Sequence, residues 1–429
     1  MAIIILLVGL LVIMLFGVPL SISIFCISAF VSQVFTDIPF WQLMQKFFFG
    51  IDSFVLTAIP FFLLAGNIMN EGKITDRLMT VSSAFVGHIR GGLAHVNVLV
   101  SMLFGGVSGS AVADTSGVGT VIIPAMVKKA YSKSFSVGIT CVSSVLGQII
   151  PPSIIMIIYA AAADTSIQAM FLAGAIPGVL IGLSLMGVSY VYALKYHYPK
   201  EKKFTLKERL IALKGAFLTM LMPLIIIGGV ITGIFTATES SVIAVFYSVF
   251  LTLFVYKTLD IKKLKNIFIN SAKTSAVTLF CIGSANIFGY LLAYFRVNKL
   301  VEDLILSLNL SPSGYILFII GLFMILGTFM DAVPAIYIFV PIVVPVGISL
   351  GLHPVHIGMI ICLVLAFGLV TPPYGLCLLL ASNIAGVNAK TVFKDLFVLL
   401  FVVMMILLII VFVPDIILFL PKLIVPKYM

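Results

Sequence analysis

The sequence predicts an all-α, polytopic membrane protein made of two inverted repeats, each carrying a re-entrant hairpin. Three observations predict it. The 429 residues are 62% hydrophobic and 9% charged, with a mean hydropathy of +1.27. A soluble domain carries roughly 25% charged residues, and a spanning helix needs about 20 apolar ones. Short motifs recur in the same order 216 to 221 residues further on, and the basic residues gather in alternate interruptions of the apolar sequence.

The first repeat is read over 1–194. Its opening run, Ile3–Phe35, lacks a basic leader and an A-x-A-type cleavage site. It is expected to be mature membrane structure, as one helix or two, and not a signal peptide. A short amphipathic arm at 36–52 follows, then a helix with Asn67 in Ala65-Gly66-Asn67-Ile68-Met69. A hairpin that enters and returns is expected over about 91–127, then a helix interrupted at Pro151-Pro152 and a further helix. A basic linker occupies 195–214, and its net charge suits a solvated cytoplasmic loop, not nucleic-acid binding.

The second repeat, 215–429, restates this order. Gly17-Val18-Pro19 returns as Gly233-Ile234-Phe235, Asn67 as Asn286, Asp114 and Pro124 as Asp331 and Pro341, and Pro151-Pro152 as Pro372-Pro373. The second arm falls at 257–273 and the second hairpin at about 313–346. Four matches in order at nearly one spacing mark a duplication. With the central linker in the cytoplasm, segments 71–90, 128–133, 195–214, 257–273 and 381–394 face the same side. They hold 3, 3, 7, 5 and 2 Lys or Arg, 20 of the chain's 25, leaving Lys46, Arg296, Lys299, Lys422 and Lys427 for the other side. Corresponding arms and hairpins then enter from opposite faces, so the repeats are inverted.

Two segments carry polar, glycine-rich sequence at membrane depth: Gly105 to Ser116, and Leu326-Gly327-Thr328-Phe329-Met330-Asp331. Non-helical backbone is tolerated there only when buried in protein or lining a wet cavity, so both read as hairpin tips. A close helix pair built on Gly105-x-x-x-Gly109 is the alternative. A proline removes the donor to the carbonyl four residues earlier. Pro151, Pro152, Pro372 and Pro373 therefore release the carbonyls of Gly147, Gln148, Gly368 and Leu369, which suit a desolvated Na⁺. Opposite its own hairpin tip, each break makes a candidate Na⁺ site: Ser108, Ser110, Gly147, Ile150 and Pro152 in one repeat, and Gly327, Met330, Gly368, Thr371 and Pro373 in the other. Simple kinking by the prolines is the other reading. Asp114 and Asp331 are intramembrane carboxylates that either cap the second hairpin helix or ligate Na⁺.

Other chemistries find no support. Gly72-Lys73-Ile74 lacks the upstream glycine of a phosphate-binding loop, and no nucleophile–base set is visible, so an enzyme is not expected. His353-x-x-His356 has a loop setting and no nearby carboxylate. The five cysteines read as small buried hydrophobes. Glu239 is explained by a helix start in Thr238-Glu239-Ser240-Ser241.

The run Gly105-Gly106-Val107-Ser108-Gly109-Ser110-Ala111-Val112-Ala113-Asp114, continuing through Gly119 and Pro124-Ala125-Met126 to Tyr131, resembles the signature of the large membrane subunit of tripartite ATP-independent periplasmic (TRAP) transporters. Pro151-Pro152-Ser153 and Thr371-Pro372-Pro373 fit the same pattern. Lys129-Ala130-Tyr131 departs from it where a glycine more often precedes the tyrosine, in a cytoplasmic loop. The resemblance spans essentially the whole chain. It implies an elevator carrier of the ion-transporter superfamily type in a bacterial inner membrane, taking up a small organic anion such as sialic acid or a C4-dicarboxylate down a Na⁺ gradient. It also implies a separate small four-helix membrane subunit, a periplasmic substrate-binding protein and surrounding lipid. Asn67, Ser110 and Thr328 are the expected substrate contacts. A self-sufficient divalent-anion/Na⁺ symporter and a non-transporting membrane scaffold are the rival readings.

Overall fold

The computed structural model describes residues 1–307, 310–372 and 375–429, of which the side chains of Asn298, Leu304 and Leu306 are set aside. Among the described residues it is all helix and turn. In the first repeat α1 (Ala2–Leu15) and α2 (Leu20–Phe35) are separate helices, because Gly17 takes a left-handed φ of 79° and Pro19 starts the second. The amphipathic arm α3 (Phe40–Ile51) leads to α4 (Ala58–Glu71) and α5 (Ile74–Val86). The hairpin is α6 (Gly92–Ser108), turning into α7 (Ala111–Gly117) and α8 (Gly119–Lys128). A broken helix follows as α9 (Lys133–Ser144), α10 (Leu146–Ile149) and α11 (Ile154–Ala162), bent by 46° at the prolines, and α12 (Ile167–Lys195) closes the repeat.

The second repeat runs α13 (Leu206–Ile231), α14 (Ala237–Phe250), α15 (Ile261–Tyr294) and α16 (Val297–Ser307). Its hairpin is α17 (Pro312–Phe329) and α18 (Ala332–Ser349), its broken helix α19 (Pro354–Gly368) and α20 (Leu376–Ala385). The chain ends in α21 (Phe393–Phe412) and α22 (Pro414–Ile424). Among the described residues seven helices, or eight counting the bent pair, are long and apolar enough to cross a membrane. Exposed apolar side chains such as Leu15, Phe16 and Phe401 suit a lipid-facing surface.

Three expectations need correction. The second arm is not a separate element: residues 261–273 form the first turns of the 34-residue α15. Repeat 1 breaks between Ile51 and Ala58, where Asp52 is the C-cap of α3 and Pro60 falls in the first turn of α4, whereas no proline falls between 261 and 294. Glu239 does help start a helix, but as partner of Thr236 in a capping box; Thr238 instead donates to the Phe54 carbonyl. The hairpin register also shifts. Ser110 and Asp331 are the N-caps of α7 and α18, and α9 and α19 begin at Lys133 and Pro354, each pair 221 residues apart. Pro124 thus pairs with Pro345, and Asp331 pairs with Ser110, one turn before Asp114.

The repeats exchange contacts reciprocally. In one layer α4 packs on α14, while α15, its counterpart, packs on α2. In the other, α11 packs on α18, while α20 packs on α7 and α8. Such swapped contacts are what two units related by a two-fold axis make. The main core, centred on α9 and α19, is wholly buried from Phe135 to Ile149 and from Val355 to Val370.

Candidate substrate and cation sites

Each hairpin tip meets its own broken helix at a glycine pair. A Cβ on Gly105 would lie 2.7 Å from the Gly147 Cα, and one on Gly368 would lie 2.6 Å from the Gly327 Cα. Glycine is required at such backbone approaches. Gly109, left-handed at φ 60°, lies against the Pro152 carbonyl, and Ser110 lies against Gly147. Non-helical backbone at the first tip is confined to Gly109 and Ser110, and at the second to Met330 and Asp331, less than the polar sequence suggested.

The released carbonyls are only partly free. Ser153 Oγ donates to the Gln148 carbonyl, and the Cys377 amide donates to that of Leu369 at 3.0 Å. The Gly368 carbonyl accepts from the Thr371 amide at 3.1 Å. Each of these three carbonyls thus accepts one hydrogen bond and keeps a second lone pair. The carbonyls of Gly147, Ile150 and Pro152 accept no hydrogen bond among the described residues, nor do those of Gly327, Met330 and Thr371. Ser108 Oγ accepts from the Ser110 amide at 3.4 Å, and Thr371 Oγ1 donates to Phe367 O at 2.8 Å. The Met330 side chain faces an apolar cavity with Leu7, Leu10 and Phe288. Pro373 lies outside the described residues.

The two carboxylates part company. Asp331 caps α18, accepting from the Ala332 amide at 2.8 Å. Asp114 caps nothing; Ser110 does that work by accepting from the Ala113 amide. Asp114 is fully buried within the first hairpin, and among the described residues neither carboxylate oxygen has a hydrogen-bond partner. Ser101 lies beside it but donates to Ser143 Oγ at 3.2 Å.

Between the tips lies a cavity of about 380 Å³. Asn67 and Ser110 line it, as do Asp331 and three residues that sequence reasoning did not single out as contacts: Gln148, Thr274 and Thr278. Thr328, which donates to the Ile325 carbonyl, lies outside that lining. The Asn67 amide is held by Ser271 Oγ at 2.9 Å. Ser110, Ile154, Asp331 and Leu376 in the lining are cap or first residues of α7, α11, α18 and α20. Four helix starts therefore border one space, and their partial positive ends favour an anion. Among the described residues, no Lys, Arg or His lines it. His353 and His356 sit elsewhere, one capping α19 and the other bonded to the Val411 carbonyl at 2.9 Å.

Residues 7–416 match the family described as "Tripartite ATP-independent periplasmic transporter, DctM component". The chain belongs to this family. It is 37% identical over 379 residues to the sialic acid TRAP transporter large permease protein SiaM of Vibrio cholerae, covering 88% of the chain and 89% of that protein. It is 36% identical to the C4-dicarboxylate large permease protein DctM of Pseudomonas aeruginosa, with 89% of each covered. An uncharacterised Salmonella typhimurium protein, YgiK, is 39% identical over 96% of the chain and 95% of its own length. Among solved structures the Alcanivorax borkumensis YdaH transporter superposes with a TM-score of 0.63 at 14% identity, covering 87% of both chains, a likeness of fold. The protein is thus a multi-pass TRAP permease, a transporter component.

Proposed function

We propose that this permease imports an organic acid across the bacterial inner membrane, coupled to Na⁺, by an elevator motion of the layer that carries both hairpins. The observation that carries the reading is the cavity bordered by four helix starts and flanked by two matched glycine–glycine contacts. The helix starts would hold the carboxylate, needing no basic side chain. The carbonyls of Gly147, Ile150 and Pro152, and those of Gly327, Met330 and Thr371, unpaired among the described residues, would as two sets take up one Na⁺ each beside the tip they adjoin. Ion and substrate would thus stabilise one arrangement of the same hairpins, which couples them.

The layer of α1 to α5 and α13 to α15 would serve as the scaffold. By the charge count, α4 ends and α15 begins on the cytoplasmic side; Asn67 and Thr274 lie in those halves, and Thr278 lies at the middle of α15. The cavity would then be in its cytoplasm-facing position. A small membrane subunit and a periplasmic binding protein would complete the transporter; the sialic acid and C4-dicarboxylate relatives set the two substrate classes to try.

The test is uptake into proteoliposomes holding the chain with its small subunit. Radiolabelled sialic acid or succinate is offered with the binding protein, with and without an inward Na⁺ gradient. Uptake requiring both the gradient and the binding protein is expected, weakened in Ser110→Ala with Thr371→Ala. Uptake without the binding protein would instead favour a self-sufficient symporter, and loss of Na⁺ dependence would remove the cation sites.

A further inference from the structure

A second cavity, of about 240 Å³, shares no lining residue with the first, and every side chain that lines it is apolar. One wall comes from α1, α15 and α16, with Leu7, Phe288, Leu292 and Val301. The other is the second hairpin, from Phe318 of α17 to Met330 at the tip. Water does not suit this space, since a buried water needs two to four polar partners and an apolar cavity of about 150 Å³ stays dry. Left empty, the lining would lack dispersion partners on one side.

The space is open at one end. Phe288 and Leu292 are 1% and 3% exposed, whereas Leu7 is 43% and Phe318 36% exposed. The opening between Leu7 and Phe318 continues an outer strip with Ile4, Leu11 and Ile325, which are 61 to 65% exposed. On helices of a membrane protein such a strip faces hydrocarbon. The depth of the space agrees with what lies outside it. Phe318 and Met330 are twelve positions apart, about 18 Å at 1.5 Å per helical residue, against about 15 Å for half the hydrocarbon core. By the charge count, α15 ends and α17 begins on the outer side, so the slot descends from the outer leaflet towards the midplane.

We propose that this slot binds one acyl chain of an outer-leaflet phospholipid, clamped between α1 and α15 on one side and the second hairpin on the other. Lipid tails are as apolar as the lining, so packing, and not the hydrophobic effect, holds the chain there. Its end reaches Met330, the C-cap of α17, and so supports the hairpin tip from the side away from Asp331, which lines the first cavity.

The test uses the chain with its small membrane subunit in nanodiscs that carry phosphatidylethanolamine bearing a diazirine at the end of one acyl chain. After irradiation the adducts are mapped by mass spectrometry, with Leu224, a 66% exposed residue of α13 outside the slot, as the reference. Phe288, Leu292 and Met330 are expected to be labelled as well as Leu224, although the first two are almost wholly buried. Val301→Trp, which fills the slot, is expected to lower labelling of Phe288 and Leu292 by about tenfold or more and leave Leu224 unchanged, since a close-packed interior has no room for both. Val297→Phe, a smaller enlargement at another lining position, is measured alongside in case the first variant unfolds, and is expected to lower the same labelling. Adducts confined to exposed positions such as Leu7, Phe318 and Leu224 overturn the proposal, and this is the result that a small subunit seated over the opening would give. Labelling of Phe288 and Leu292 that neither substitution lowers overturns it as well. The readout is labelling, so a failure of Na⁺-driven uptake leaves it untouched.

Discussion

At the scale of single residues, each glycine contact is tightest from one side, from Gly105 in the first repeat and from Gly368 in the second. A Cβ on Gly368 meets Gly327 backbone atoms at 2.6 to 2.7 Å, which cannot move without moving the hairpin tip. A Cβ on Gly147 finds its nearest atom, the Ser110 carbonyl oxygen, at 3.4 Å, an ordinary contact. Gly368→Ala is therefore expected to lower Na⁺-dependent uptake by about tenfold or more, since a displacement of about 1 Å can cost a hundredfold in a positioned site. Gly147→Ala should stay within about twofold. Equal losses in the two variants would show that the contacts do not set the tip position. The proline breaks were legible here because each proline removes a stated donor. Which released carbonyls stay free was not, because that depends on Ser153 and Cys377 reaching back across the break. Gln148 was invisible as a contact for the same reason, since no local pattern says that its amide borders a cavity.

At the scale of elements, caps hold the breaks in register. Ser153 both caps α11, accepting from the Met156 amide, and donates to the Gln148 carbonyl. Losing a cap costs about 1 kcal/mol, and an orphaned buried carbonyl about 1–3 kcal/mol more. Ser153→Ala should lower stability by roughly 2–4 kcal/mol, and Thr236→Ala, at an exposed capping box, by about 1 kcal/mol. Urea unfolding of the purified chain compares them; equal losses would deny Ser153 its second bond. The hairpin register shows the limit of sequence matching. Asp114 and Ser110 lie four residues apart, close to one turn, so both alignments put polar groups on nearly the same face. Only the helix starts distinguish them: spacings of 216 at Gly17, 219 at Asn67 and 221 from Ser110 onward rise along the chain.

For the whole molecule, the reciprocal packing and the charge asymmetry make one topological statement. In a chain stripped of its five cysteines, Lys200→Cys should react with an impermeant maleimide only in inverted vesicles, and Lys299→Cys only in right-side-out ones. Labelling of both from one side would break the inversion of the repeats. The sequence by itself determined the class, the duplication, the hairpins and the two breaks. These follow from apolar length, the recurring motifs and the chemistry of proline and glycine, all of which act locally or add along the chain. Only the tertiary structure decided which residues share the cavity, that Asp331 caps a helix while Asp114 lies unpaired, and that α15 runs unbroken through the expected arm. Those outcomes depend on which donors and backbones from distant segments come within a few ångströms, and spacing along one chain does not carry that information.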